Sequence, residues 1–234
     1  MGTISENIAA VKEQIGHYAE LSGRGPGDVL LVAVTKTRSA DEINAAIEAG
    51  ITDIGENKVQ EIIDKHDAAL PVNWHMIGHL QRNKVKYIID KVKMIHSVDS
   101  FRLAEEIDRR AGSAGIAMDI LIQVNAANEE SKFGAAAQDT EGLLREILDR
   151  CANIRVRGLM SIAPIADDPG DVAVYFRQVK ALYDGFMGIR HERLDLKYIS
   201  MGMSHDFGVA IREGANIVRI GSAIFGPRAA PVQP

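Results

Sequence analysis

The sequence predicts an α/β protein built as a single (β/α)8 TIM barrel with an extra amino-terminal helix. Three observations carry this. Apolar runs of strand length alternate with amphipathic helical runs along the chain. Eight such strands can be counted, each but the last followed by a helix. The 234 residues, 46% of them hydrophobic, are enough to bury one large core. Residues 1–234 are therefore expected to form one domain, with the Pro- and Ala-rich stretch 227–234 as a frayed tail. A doubly wound open sheet is the alternative arrangement of the same elements.

The opening helix shows Ile4, Ile8, Val11, Ile15 and Tyr18 on one face. The first strand is 29–36, an apolar run suited to burial on both faces. Further strands are expected at 52–56, 73–78, 94–98, 118–125, 155–161, 196–201 and 217–221. Helical patterns lie between them at 40–49, 58–69, 82–90, 100–113, 138–152, 171–187 and 205–214. Ser39 is placed to cap the helix at 40–49, and Asp99 or Ser100 the helix at 100–113. Glu42, and Glu105 or Glu106, fall in the expected first turns, where a negative charge suits the helix dipole. Gly50 and Gly214 stand where helices stop.

Composition excludes several classes of function. Lys+Arg 27 against Asp+Glu 32 and a pI near 5.8 argue against nucleic-acid binding. Cys151 is the only cysteine, so neither a disulfide framework nor a cysteine metal cluster is expected. Apolar runs of membrane-spanning length and a signal peptide are not evident, so a cytoplasmic protein is expected. The histidines His75, His79 and His205 lack sequential metal-ligand spacing, and no metal is assigned.

The chemistry is expected at the carboxyl ends of the strands. Lys36 closes the first strand. Burial there favours the neutral amine, a nucleophile able to form an imine with an aldehyde such as that of pyridoxal phosphate. The plain alternative is a lysine that ends a strand and reaches into water. Ser200-Met201-Gly202-Met203-Ser204 and Gly221-Ser222 end the last two strands, where barrels often hold phosphate. Gly202 and Gly221 permit close backbone approach, and Ser200, Ser204 and Ser222 offer hydroxyl donors. By alternation Arg219 points into the barrel between apolar neighbours. An internal carboxylate and a pyridine nitrogen are both open as its partner. Facing arginine, such a nitrogen stays unprotonated and is a weaker electron sink.

These segments resemble the pyridoxal-phosphate homeostasis proteins, single-domain relatives of the alanine racemase amino-terminal barrel. The resemblance covers nearly the whole chain. Its carriers are Ala33-Val34-Thr35-Lys36, Gly55-Glu56-Asn57, the run from His75 to Lys84, Gly158-Leu159-Met160, the run from Ser200 to Asp206, and the run from Val218 to Gly226. It implies pyridoxal 5'-phosphate held as a Schiff base on Lys36, with Arg219 at the pyridine nitrogen and Ser200, Gly221 and Ser222 at the phosphate. Asn57 is implied beside the cofactor and His79 near the pocket mouth; Met201, Gly202 and Ser204 count with the binding segment. Three departures stand out. Lys58 replaces a common aromatic residue, Phe133 stands in Ser131-Lys132-Phe133-Gly134 where a small residue is expected, and Gly226-Pro227-Arg228 lacks the usual Asp-Tyr.

The resemblance implies a non-enzymatic protein that buffers or delivers pyridoxal phosphate in vitamin B6 and amino-acid balance. A weak racemase is the alternative. Two-base racemisation needs a second acid/base opposite the lysine, a tyrosine that the racemases take from a partner's β-domain. With the chain ending just after the eighth strand, no such domain is expected. Transient contact with apoenzymes and a monomeric state are further expectations, with no nucleic-acid or membrane partner.

Overall fold

The structure, a computed structural model, describes residues 2–129 and 133–227. Ser131, Lys132, Arg228 and the rest of the expected tail lie outside the described residues. The strands are β1 (Leu30–Val34), β2 (Asp53–Glu56), β3 (Asn73–Met76), β4 (Met94–Val98), β5 (Met118–Asn125), the two-residue β6 (Ala135–Ala136), β7 (Ile154–Ser161), β8 (Leu194–Ser200) and β9 (Ile217–Ile220). Every pairing is parallel. The order β4-β3-β2-β1-β9-β8-β7-β5 closes through a β4–β5 pairing, so eight strands form a barrel, and β6 is an appendage on β5.

The helices are α1 (Ile4–Leu21), α2 (Ala40–Glu48), α3 (Val59–His66), α4 (Phe101–Ala114), α5 (Thr140–Arg150), α6 (Ala173–Phe186), α7 (Phe207–Arg212) and α8 (Ser222–Phe225). Thr3 and Glu6 form a capping box at the start of α1, and Ser39 and Glu42 form one at α2. The buried face of α1 is Ile8, Val11, Ile15 and Ala19, at helical spacing. Asn7 Nδ2 donates to Ile224 O at 2.8 Å, which ties α1 to α8. Gly50 and Gly214 have φ of 87° and 100°, the left-handed conformation of a helix stop.

Three elements differ from expectation. The segment 82–90 holds a 3-10 turn, Arg82–Tyr87, rather than an α-helix. Val85 within the turn and Ile88 just after it are both buried, and Ile88 N donates to Val85 O at 3.1 Å. The helix α4 begins at Phe101, so Glu105 and Glu106 fall in its second turn. Its N-cap Ser100 uses its hydroxyl on Asp99 Oδ1 (3.2 Å) instead of on a helix N–H. The last strand does carry a helix, the four-residue α8.

Side-chain alternation sorts the core into two layers. Trp74, Met76, Ile95, Ile120, Ile122, Leu159, Ile199 and Val218 belong to the large cluster between strands and helices. Met94, Leu121 and Met160 form a separate cluster with Tyr198 inside the barrel. The remaining inward positions include Asp53, His75, His96, Gln123, Ser200 and Arg219, all buried, so much of the bore is polar.

Candidate functional site

The register of β1 assembles one rim. Val34 pairs with Gly55, and Ala33 with Ile220. Continuing those ladders sets Lys36 level with Asn57 and places Gly221 and Ser222 beside Val34 and Thr35. The strand contacts show why glycine is needed there. A Cβ on Gly55 would lie 2.9 Å from Ile77 Cδ1, and one on Gly221 would lie 3.2 Å from Val34 O.

Lys36 is half-buried. Its two neighbours are clamped from outside the barrel. Thr35 Oγ1 donates to Glu56 Oε1 at 2.7 Å, and Lys65 Nζ donates to Thr35 O at 3.0 Å. Thr37, in the left-handed region at φ 64°, donates its N–H to Glu61 Oε2 at 2.6 Å. Lys65 also joins Glu56 (2.9 Å) and Glu61 (2.7 Å). Burial pushes the Glu56 carboxyl up, against the hydrogen bonds from Thr35 and Lys65.

Arg219 sits inside the bore, 4% exposed. Its Nη1 donates to Ser200 Oγ at 2.7 Å and its Nη2 to Ser161 O at 2.9 Å. Among the described residues no carboxylate lies within ion-pair distance of it. Burial pulls the guanidinium down to about 10, with the charge of Asp206 opposing, so it remains a cation at neutral pH. Ser200 Oγ also lies 3.1 Å from His96 Nδ1, so its hydroxyl is engaged in the interior.

The other sequence-derived residues spread around the mouth. Asn57 is half-buried, and its backbone lies so close to Gly78 that a Cβ there would sit 2.3 Å from Asn57 O. His79 is exposed, stacked on Phe133 at 3.8 Å between ring centroids, with Asp99 Oδ2 at 3.7 Å. Gly202, at φ 91°, turns the chain after β8, and its carbonyl accepts from Arg219 N at 3.0 Å. Ser204 is half-buried in the turn that follows, where Asp206 Oδ1 accepts from Met203 N. The Met201 side chain packs into the outer core, away from the bore, so only its backbone faces the site. Ser222 is exposed at the start of α8.

Sequence reasoning missed His96, Gln123, Glu61 and Lys65, and reached Ser161 only as the end of a strand. The signal for His96 was the one that exposed Arg219, a polar residue at an inward position of an apolar strand. Glu61 and Lys65 left no comparable signal, because an i, i+4 Glu–Lys pair reads as solvated helix surface.

A closed parallel barrel with a rim lysine and an arginine in its bore defines a class of single-barrel α/β proteins. Residues 6–229 match the alanine racemase N-terminal domain family. A pyridoxal phosphate homeostasis protein of Aquifex aeolicus is 43% identical over 225 residues, covering 95% of this chain and 97% of the relative. One from Pseudomonas aeruginosa is 40% identical, covering 97% of each. The structure of PipY of Synechococcus elongatus with PLP bound is similar at a TM-score of 0.83 and 32% identity, covering 96% of this chain and 100% of PipY. An alanine racemase of Clostridium difficile shares the fold at a TM-score of 0.68 and 15% identity, covering 98% of this chain and 58% of the racemase. The chain belongs to the pyridoxal phosphate homeostasis protein family, within the proteins that carry the alanine racemase N-terminal domain.

Proposed function

We propose that this protein binds pyridoxal 5'-phosphate reversibly at the barrel rim and acts without catalysis, holding or delivering it in vitamin B6 homeostasis. The observation that carries this is Arg219, a buried cation whose observed partners are a hydroxyl and a carbonyl. A guanidinium cannot accept a proton or a hydrogen bond, so it suits a neutral ring nitrogen. The donor set fits the rest of the molecule. Lys36 supplies the amine. Gly221 and Ser222 supply hydroxyl and backbone N–H groups for the phosphate, and the first N–H groups of α8 have no partner within the helix. When bound, the aldehyde offers an electrophilic carbon for an amine to capture.

Each residue then has a role at a stated atom. Lys36 Nζ is the covalent anchor, its direction set by the Thr35 and Thr37 clamps. Arg219 would donate to the ring nitrogen of the bound group, and a guanidinium, having no acceptor, would leave that nitrogen unprotonated. Ser200, whose hydroxyl is engaged by Arg219 and His96, holds Arg219 in place. Asn57 lines the rim beside Lys36, and Gly202 with Ser204 shapes the wall next to Arg219. His79 stands at the mouth. A monomer with transient apoenzyme contacts is consistent with this rim-side placement.

The relatives' names support a homeostatic rather than a catalytic role. The competing reading is weak amino-acid racemisation. Absorbance spectra of the protein mixed with pyridoxal phosphate, wild type beside Lys36→Ala, test the binding. A visible band is expected for the wild type, and borohydride followed by peptide mass mapping is expected to place the label on Lys36. Label elsewhere, or none, overturns the reading. Sustained conversion of L-alanine to the D-form, lost in Lys36→Ala, would make the protein an enzyme instead.

A further inference from the structure

A continuous chain of buried polar groups crosses the bore beneath the rim. Asp53 Oδ1 lies 2.9 Å from His75 Nε2, and His75 Nδ1 lies 2.9 Å from His96 Nε2. His96 Nδ1 lies 3.1 Å from Ser200 Oγ, which accepts from Arg219 Nη1 at 2.7 Å. His75, His96 and Ser200 are each no more than 1% exposed. Asp53, His75 and His96 have no part in the rim contacts described above, and two buried histidines in one bore call for an account.

With His96 neutral, hydrogen-bond bookkeeping allows two wirings; a cationic His96 would donate from Nδ1 to Ser200 and strand the same hydroxyl proton as the second. Both begin with Asp53. Its carboxyl is held below the ordinary range because hydrogen bonds from His75 and Thr52 outweigh its burial, so it is a carboxylate that only accepts. His75 Nε2 must therefore carry a proton. In the first wiring His75 is neutral, and its Nδ1 accepts from His96 Nε2–H. His96 Nδ1 then accepts the Ser200 proton, and Ser200 Oγ accepts from Arg219. In the second His75 is a cation, and both of its nitrogens donate. His96 then donates from Nδ1 to Ser200, and Ser200 Oγ receives two donors. Its own proton is left with no acceptor in a fully buried position, since among the described residues Ser200 Oγ makes no other hydrogen bond. That orphaned donor decides between the wirings.

We propose that His75 and His96 are positioning residues forming a one-way chain of hydrogen bonds, which fixes Ser200 as an acceptor for Arg219 and makes Asp53 the remote counter-charge of that arginine. The charged groups facing the pair agree with this. Asp53 stands at one end with Lys93 Nζ at 3.9 Å, and Arg219 at the other with Asp206 acting on it from beyond. Burial above all, with the Arg219 cation adding to it, holds His96 well below 6.5 and so neutral. The arrangement compensates the arginine without placing a carboxylate against it. The other guanidinium donors thus stay available for a neutral acceptor, a role that rests on the proposed pyridoxal phosphate site.

The wiring is read directly by nitrogen-15 NMR of histidine-labelled protein without ligand. At about pH 8 each ring is expected in a single neutral tautomer with its proton on Nε2. An imidazolium at either position, or a proton on His96 Nδ1, overturns the proposal. Ser200→Ala removes the donor to His96 and is expected to shift the Nδ1 resonance of His96; an unmoved resonance also overturns it. The role is read by titration with pyridoxal phosphate. His96→Leu, with neither donor nor acceptor, is expected to weaken binding by about tenfold or more. His96→Gln, which keeps one of each, is expected to recover most of that. A folded His96→Leu protein that binds like wild type refutes the role. A wild type with the expected tautomers that takes up no pyridoxal phosphate counts against the proposed function and for the wiring.

Discussion

Lys65 Nζ reaches the fully buried carboxylate of Glu56 at 2.9 Å, and the same ammonium holds the carbonyl of Thr35, the residue before Lys36. The pair lies on the outer side of the barrel, yet it fixes the backbone that presents the anchor lysine. Among the described residues Glu56 Oε2 has no hydrogen-bond partner, so the carboxylate depends on Lys65 and Thr35. Lys65→Met should strand a buried charge and destabilise the protein by about 3–5 kcal/mol. Adding Glu56→Gln to that variant should recover a large part of the loss. Urea unfolding of the single and double variants checks both.

His96 makes stability depend on pH. Its folded-state pKa lies well below 6.5, for the reasons of burial and neighbouring charge given above. Below that ordinary value the unfolded chain takes up a proton that the folded protein does not. The contribution is therefore present above 6.5 and declines as pH falls beneath it, by up to about 1.4 kcal/mol per pH unit. Urea unfolding at about pH 7.5 and about pH 5 should show the decline in wild type and a flatter profile in His96→Gln.

Arg219→Lys should release the ligand. One ammonium lacks the planar fork that reaches Ser200 Oγ and Ser161 O together while keeping further donors. A rise of about tenfold or more in the dissociation constant for pyridoxal phosphate is expected, equivalent to about 1.4 kcal/mol. Fluorescence or absorbance titration measures it, with circular dichroism as the check on folding.

Gly158→Ala should be among the most damaging substitutions in the barrel. Gly158 has φ 146°, and a Cβ there would lie 1.8 Å from Tyr198 O in the neighbouring strand. The ladder between β7 and β8 would have to move, a destabilisation of about 4 kcal/mol or more. Gly202→Ala should cost less but still be felt, since its Cβ would meet Ala210 Cβ at 2.6 Å at φ 91°. Thermal melts of the two variants should rank them in that order.

Cys151 should resist thiol reagents in the native state. It is buried, and burial, followed by the charge of Asp108, pushes its thiol up to about 11. Labelling by a maleimide at neutral pH should be slow until denaturant is added. Fast native labelling would contradict the burial.

The barrel was legible because strands such as Leu30–Val34 and Met118–Asn125 are short, largely apolar runs set between helical patterns, and Ser39, Gly50 and Gly214 mark helix ends with chemistry that local sequence dictates. The 3-10 turn at Arg82–Tyr87 was not, because a three-residue and a four-residue apolar spacing look alike over a single turn. Lys36 and Arg219 announced themselves as charges at strand positions. The hydroxyl of Ser200 did not, since a serine at a strand end reads as a phosphate donor until the histidine opposite it is seen. Contacts between strands distant in sequence, such as His96 with Ser200, are set by closure of the barrel and are invisible to any local pattern.

The polar wire draws its members from β2, β3, β4, β7, β8 and β9: Asp53, His75, His96, Ser161, Ser200 and Arg219. A half-barrel intermediate would bury some of these groups without their partners, and a fragment comprising β1 to β4 would leave His96 Nδ1 without the Ser200 hydroxyl. Assembly should therefore be all-or-none, with a single unfolding transition and no stable autonomous half. The groups that tune the pocket would then also act as the lock on cooperative folding.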